Sequence, residues 1–376
     1  MLSRITSPRA QAPYLRLLAR TVLKAKRPLI IGITGSVGKT TTTYTIAAVL
    51  SHPRIARLVG TVAHAKENMN DLDGLPLTIL RRGWFIRGSS AARLLRLGFQ
   101  LVRTGQILAS RDYPDVLVLE MGTDAPGTLA KTVALARPDI GILTAVGPSH
   151  LEKLGTVDAV FREKLTVLRA VPKDGLVIVG DMPEYADRIG PNVSAPVVVA
   201  EGQGLELARN IAMIIGRRFG ASEEDLRLAV EAAATPPGRL NRLKVGSLSI
   251  VDDSYNANPM SMRYGLANFA QEAEPGRRRV AILADMKELG PEEQRYHREV
   301  GAHAHQVADV VVGVGELARS YDPDHWFEDA QHCQEGIGRI IAPGDAIFLK
   351  GSNSMNLEVV VDKLREGAPP PEEMAL

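Results

Sequence analysis

Between Ile31 and Thr43 the chain reads Ile-Gly-Ile-Thr-Gly-Ser-Val-Gly-Lys-Thr-Thr-Thr-Thr, an apolar run, a glycine-bearing loop and then the start of a helix. Few folds accept that order. Glycines at 35 and 38 let backbone N–H groups approach phosphate oxygens, Lys39 reaches the β/γ-phosphates, and the Thr40 hydroxyl is placed for Mg²⁺ at the positive end of a helix. Ser36 and Thr41 complete the loop. The segment therefore predicts a nucleoside triphosphate site. It departs from the common G-x-x-x-x-G-K-[ST] pattern at one place, Ile33, where that pattern has glycine, and the short form narrows the family.

The rest of the chain alternates in the way a parallel sheet requires. β-Branched runs at Leu29–Ile33, Val116–Glu120, Ile140–Val146, Leu176–Gly180 and Val197–Ala200 are separated by helical stretches, and a second set follows at Leu248–Asp252, Val280–Ala284, Val310–Gly313 and Ala346–Lys350. Short strands with crossover helices predict an α/β fold. At 376 residues the chain exceeds one ordinary core, so two domains are expected. The break at Pro236-Pro237-Gly238 divides them. The expected organisation is a basic helical lead-in over 1–27, an ATP-binding domain with a mostly parallel sheet over 28–235, a Rossmann-like α/β domain over 236–366, and a disordered tail over 367–376.

Charge and composition exclude several classes. The net charge of +2 is nearly balanced, although basic residues concentrate before residue 111, and this gives no support for nucleic-acid binding. The lone Cys333 has no partner for a disulfide and suits a reducing, cytoplasmic setting. No apolar run is long enough to span a membrane. The stretch Trp84–Arg103 mixes aromatic and aliphatic residues with four arginines. It reads as a helix with one face on the sheet and solvated arginines outside, or as a peripheral membrane or partner contact.

Two further segments carry chemistry. Val116–Glu120 ends in an acid, and ligands gather at the carboxyl ends of parallel strands, so Glu120 is expected to face the phosphates and share Mg²⁺ with Thr40. Ile140–Val146 runs into Gly147-Pro148-Ser149-His150-Leu151-Glu152, followed by a helix with Lys164. A loop histidine at that position suits a metal ligand or an acid–base group, and equally a structural role.

These segments, taken together and in order, resemble the Mur ligase family, which adds amino acids to bacterial cell-wall precursors. The matching blocks include Thr34–Thr41, Asn68-Met69-Asn70 through Thr78, Glu120-Met121-Gly122, Ala136-Arg137-Pro138-Asp139, Gly147–Glu152, Gly238-Arg239-Leu240, Asp252–Pro259, Asp285-Met286 with Glu288-Leu289-Gly290, and Lys350-Gly351-Ser352. The Asp-Ser-Tyr-Asn-Ala-Asn-Pro and Asp-Met-x-Glu-Leu-Gly runs resemble the MurF branch, which joins D-alanyl-D-alanine to a UDP-linked muramoyl tripeptide. The resemblance spans residues 28–365. It implies an ADP-forming ligase that phosphorylates a carboxylate to an acyl phosphate, which an amino acid or dipeptide amine then attacks.

The resemblance also implies roles. Lys39 holds the β/γ-phosphates, and Thr40 and Glu120 hold one Mg²⁺. His150 holds a second, together with Lys164 modified by CO₂ to a carbamate. Asn210 contacts adenine, and Arg239 with Asp253 reaches ATP across a hinge near Pro236-Pro237. Asn70, Asn256, Asn258, Asp285, Glu288, Lys350 and Ser352 face the substrates.

Four departures stand out. Only 28 residues precede the first strand, so the UDP-gripping N-terminal domain of typical members is expected to be absent. The stretch from Asp181 to Asn210 is short, Arg209 replaces a usual histidine, and Asn353 stands where the branch often has arginine. The expectation is a small-molecule acid other than the muramoyl tripeptide, with alternatives of the standard acid recognised through a partner subunit, or a catalytically idle nucleotide-binding module.

Overall fold

The structure is a computed structural model that describes residues 8–65, 74–81, 90–233 and 240–366, with side chains from residue 13 onward and, in the 90–109 helix, from residue 98. Asn70, Arg239, the break at 236–238, the start of the Trp84–Arg103 stretch and the tail lie outside the described residues. The chain divides into two compact units, Met1–Val146 with Asp158–Ala234, and Gly147–Val157 with Thr235–Leu376.

The first unit is built on six parallel strands: β1 (Leu29–Thr34), β2 (Val62–His64), β3 (Val116–Glu120), β4 (Ile140–Leu143), β5 (Leu176–Gly180) and β6 (Val197–Ala200). They lie in the order β2-β3-β1-β4-β5-β6. Alternation along each strand divides the side chains between two cores. Ile31, Ile33, Val116 and Val118 face one side, against the Lys39–Ser51, Gly204–Arg218 and Glu223–Ala232 helices. Ile30, Leu117 and Leu119 face the other, against helices Pro8–Lys26, Leu75–Ile79 and Thr128–Leu135. A sheet covered on both faces needs apolar residues at every position, which is why these strands read as continuous runs. The Pro8–Lys26 helix is part of this core, burying Leu15, Leu18, Ala19 and Val22.

The second unit carries β7 (Asn241–Val245), β8 (Leu248–Asp253), β9 (Arg279–Ala284), β10 (Val310–Val314), β11 (His325–Phe327) and β12 (Ala346–Lys350), in the order β11-β10-β9-β12-β8-β7. Every pairing is parallel except β7 with β8. Helices Pro259–Glu272 and Glu293–Val307 cover one face, and Ala330–Gly336 with Glu358–Glu366 cover the other. Cys333 is fully buried on that second face, where burial pushes its thiol up to about 12. It is an inert packing residue.

The helix expected over Trp84–Arg103 packs one face in its described part, but part of its aliphatic set lies outside that face. In the described part of the Ser90–Ala109 helix, Phe99, Leu101 and Val102 face outward while Gln100 and Thr104 are buried. The inward set 100, 104 and 107 follows the 3.6-residue repeat, so the helix anchors through Ile107 and leaves its aliphatic stripe outside.

Candidate active site

In a parallel sheet all carboxyl ends share one edge, and the order β3-β1-β4 brings three of them together. β1 feeds the loop Gly35–Gly38, β3 ends in Glu120, and β4 runs out into Thr144 and Ala145. The Ala145 carbonyl accepts a 2.8 Å hydrogen bond from Ser36 N–H, and the Thr144 hydroxyl donates to the Val37 carbonyl. Thr144 is therefore a buttress of the phosphate loop. Sequence reasoning missed it, because its signal is only a polar residue closing an apolar strand.

That buttress explains both loop glycines. A Cβ on Gly35 would sit 1.9 Å from Thr144 Oγ1. A Cβ on Gly38 would meet Thr144 only at ordinary contact, 3.6 Å away, but Gly38 adopts φ +83° as the N-cap of the Lys39–Ser51 helix, a conformation that costs an L-residue about 1–2 kcal/mol. Gly38→Ala is expected to lower stability by about that amount, and Gly35→Ala by more, since Thr144 must also move. Thermal melts of the two variants check the ranking; equal melting temperatures would contradict the buttress.

Lys39 Nζ donates to the Gly35 carbonyl at 2.9 Å, and Thr40 Oγ1 donates to Glu120 Oε2 at 2.7 Å. Register places Glu120 beside Ile33, two residues before the loop begins at Gly35. A hydroxyl and a carboxylate at this spacing are hard oxygen donors, the set Mg²⁺ takes when substrate phosphates and water complete its octahedron. The residues present fit a Mg–nucleotide. Among the described residues no three His, Cys, Asp or Glu side chains cluster for a protein-only metal cage.

Lys164 enters the same group from the Val157–Arg169 helix and is 1% exposed. Burial, and next the charge of Lys39, hold its ammonium well below the ordinary lysine range, against the opposing pull of Glu163 and Glu120. The neutral amine is favoured there. Glu163, the residue before it, accepts from the Gly127 and Leu129 N–H groups at 2.9 and 2.8 Å and fixes the helix that carries Lys164.

Asn210, the expected adenine contact, donates to the Glu201 carbonyl at 3.0 Å on the flank of the first unit.

The second unit gathers its own set at the carboxyl edge of its sheet. β8 and β12 pair Asp253 with Lys350 in register. The nearly buried Lys350 ammonium forms an ion pair with Asp253 and donates to the Asn256 carbonyl at 2.9 Å. Asp285, 1% exposed, directly follows β9; it accepts from Ala318 N–H and pairs with Lys287 at 2.7 Å. The Ser352 hydroxyl accepts from Lys287 N–H. Asn258 is engaged in a capping box with Ser261 that starts the Pro259–Glu272 helix, and the Asn256 side chain accepts from Ala257 N–H. Buried His297 accepts from Met286 N–H at 2.9 Å and holds the 285–288 loop; burial lowers its pKa, so it sits neutral.

His150 belongs to this second unit. Its Nδ1 lies 2.6 Å from Glu288 Oε2, and Glu288 O accepts from Glu152 N–H. His150 and Glu288 both adopt left-handed backbone, with φ of 54° and 66°. Two non-glycine residues in that region and bonded to each other mark a strained contact that the surrounding packing sustains.

Residues 33–83 and 104–203 match the Mur ligase middle domain, and residues 238–353 match the Mur ligase, glutamate ligase domain. The chain is 27% identical to the UDP-N-acetylmuramoyl-tripeptide--D-alanyl-D-alanine ligase of Bacillus subtilis, over 94% of this chain and 79% of that protein. It is 29% identical to the Mycobacterium tuberculosis protein of the same name, over 89% and 72%. In fold it resembles the crystal structure of MurF ligase from Thermotoga maritima in complex with ADP, with TM-score 0.76, 21% identity, and coverage of 94% and 83%. It also resembles E. coli FolC in complex with ADP, with TM-score 0.65, 17% identity, and coverage of 94% of each chain.

Proposed function

This chain belongs to the Mur ligase family of ATP-dependent ligases, and from that premise we propose that it forms an amide bond between a carboxylic acid and an amino acid or dipeptide amine, releasing ADP and phosphate. The observation that carries the reading is the Lys39–Thr40–Glu120–Lys164 group at the carboxyl edge of β1 and β3.

In this reading one carboxylate oxygen of the acid bonds to the γ-phosphorus of ATP as the bond to ADP breaks. The amine nitrogen then bonds to the carbonyl carbon, loses a proton, and phosphate departs with the activated oxygen. Lys39 and the loop N–H groups neutralise the phosphates, and the hydroxyl of Thr40 with the carboxylate of Glu120 holds Mg²⁺, which supplies charge stabilisation. Lys164 serves as a carbamate: the favoured neutral amine bonds to CO₂ carbon and loses a proton, placing a carboxylate beside the Lys39 cation. His150 is proposed as a second metal ligand held by Glu288. Asn210 and Asp253 are proposed nucleotide contacts, and Asp285, Lys350 and Ser352 line the amine site.

The names of the relatives favour D-alanyl-D-alanine as the amine. The test is phosphate release with product mass read in parallel, using UDP-muramoyl tripeptide or smaller acids, each with and without D-alanyl-D-alanine. Amine-dependent turnover with one acid is the expected result. Phosphate release that ignores both acid and amine, or ATP binding without turnover, sinks the ligase reading.

A further inference from the structure

Charge is divided unevenly along this chain. Residues 1–111 hold 18 Lys and Arg against 3 Asp and Glu, whereas residues 112–376 hold 27 against 40. The Pro8–Lys26 and Ser90–Ala109 helices include eight of those bases and no acid. The two pack on each other, and Lys26 Nζ donates to the Leu108 carbonyl, so their C-terminal ends lie together. On the first helix Leu17, Arg20, Thr21 and Lys24 point outward. On the described part of the second, Phe99, Leu101 and Val102 are exposed beside Gly98, Gly105 and Gln106, with Leu101 58% and Val102 60% exposed.

We propose that this pair of helices docks the protein on an anionic lipid surface. A solvated face of a soluble domain mixes both signs of charge; this one carries a single sign. Nucleic acid would account for the bases but not for the aliphatic stripe, since phosphates and base edges reward charge and hydrogen bonding. A second copy of the chain would set like charge against like, with no acid on either helix to compensate. An anionic bilayer satisfies both features at once: aliphatic side chains enter the boundary between headgroups and acyl chains, and the arginines and lysines stay among the headgroups. None of the described helices is long and apolar enough to cross a membrane, so the contact lies along the surface.

The experiment is co-sedimentation of the full chain with phosphatidylcholine vesicles, and with vesicles containing about one-third phosphatidylglycerol. Binding is expected only to the anionic vesicles and is expected to weaken at high salt. Arg20→Glu with Lys24→Glu should weaken it by at least about 25-fold, from roughly fivefold per charge. The charge-neutral pair Leu101→Ser with Val102→Ser should weaken it severalfold. All four positions are exposed and remote from the ligase group, so melting temperature and ATP turnover should stay at wild-type values. No anionic-dependent sedimentation overturns the proposal. So does binding that the Leu101→Ser/Val102→Ser pair leaves intact while a DNA duplex binds equally well, or sedimentation velocity showing the face buried in a dimer.

Discussion

Replacing Lys39 with alanine is expected to reduce ATP turnover by about a thousandfold, with little change in melting temperature. The ammonium lies over the phosphate loop, bonded to the Gly35 carbonyl, and is not a core residue. Its removal takes one fixed positive charge from the phosphates whose negative charge shifts as the γ-phosphoryl group transfers. Stability should survive, because Ser36 and Thr144 brace the loop through hydrogen bonds that the substitution leaves in place. Steady-state phosphate release and a thermal melt on the same preparation check both halves. An alanine variant with wild-type turnover would place the chemistry elsewhere.

Lys164→Met is expected to act in opposite directions on stability and activity. In bicarbonate-free buffer it should raise the unfolding free energy by about 1–2 kcal/mol, because an apolar chain of similar length replaces a desolvated amine facing Lys39. Turnover should fall by about a hundredfold, since the methionine takes up no CO₂ and supplies no carboxylate. The pH dependence carries a sign that follows from the lowered pKa. The unfolded chain binds the Lys164 proton more readily than the folded one, so wild-type stability rises with pH from the folded value up to the free lysine range near about 10.4. The methionine variant should lack that slope. Urea titrations across this window, and turnover of CO₂-depleted enzyme with bicarbonate restored, read the two effects separately. Destabilisation by Lys164→Met, or an enzyme indifferent to bicarbonate, would count against the carbamate.

The strands that the sequence hid all lie at sheet edges, whereas the edge strand β6 was legible through its run of valines. Interior strands such as β1, β3 and β9 are covered on both faces and must be apolar throughout. β2, β7 and β11 escaped notice, and all three are edge strands. β7 alternates between exposed and half-buried residues over only Asn241–Val245, a weak signal against its surroundings. The expected strand Ile140–Val146 stops at Leu143, because Thr144 and Ala145 leave the ladder to brace the phosphate loop. Which face of the 98–109 helix packs was not legible, for a related reason. Its composition is amphipathic, but composition does not say which stripe faces in, and the packing of Ile107 decided it.

Among site residues, Gly35, Gly38, Lys39, Thr40 and Glu120 were legible one by one, since a phosphate loop and a strand-terminal acid are local patterns with a fixed chemical use. Lys164 was an ordinary helix lysine until its family resemblance singled it out, and burial beside Lys39 then supplied a physical reason for it to be neutral. Thr144, Glu163 and His297 act through backbone groups of other segments, and a local pattern holds no trace of such partners.

The sequence by itself determined two α/β sheets and a triphosphate loop, because hydrophobic period and glycine placement are properties of neighbours along the chain. Only the tertiary structure decided that Thr40 meets Glu120, that Lys350 pairs with Asp253, that His150 meets Glu288, and that Phe99, Leu101 and Val102 face out. Each joins or orients segments far apart in the chain, and their positions follow from how strands order themselves in a sheet and which helix face finds the core.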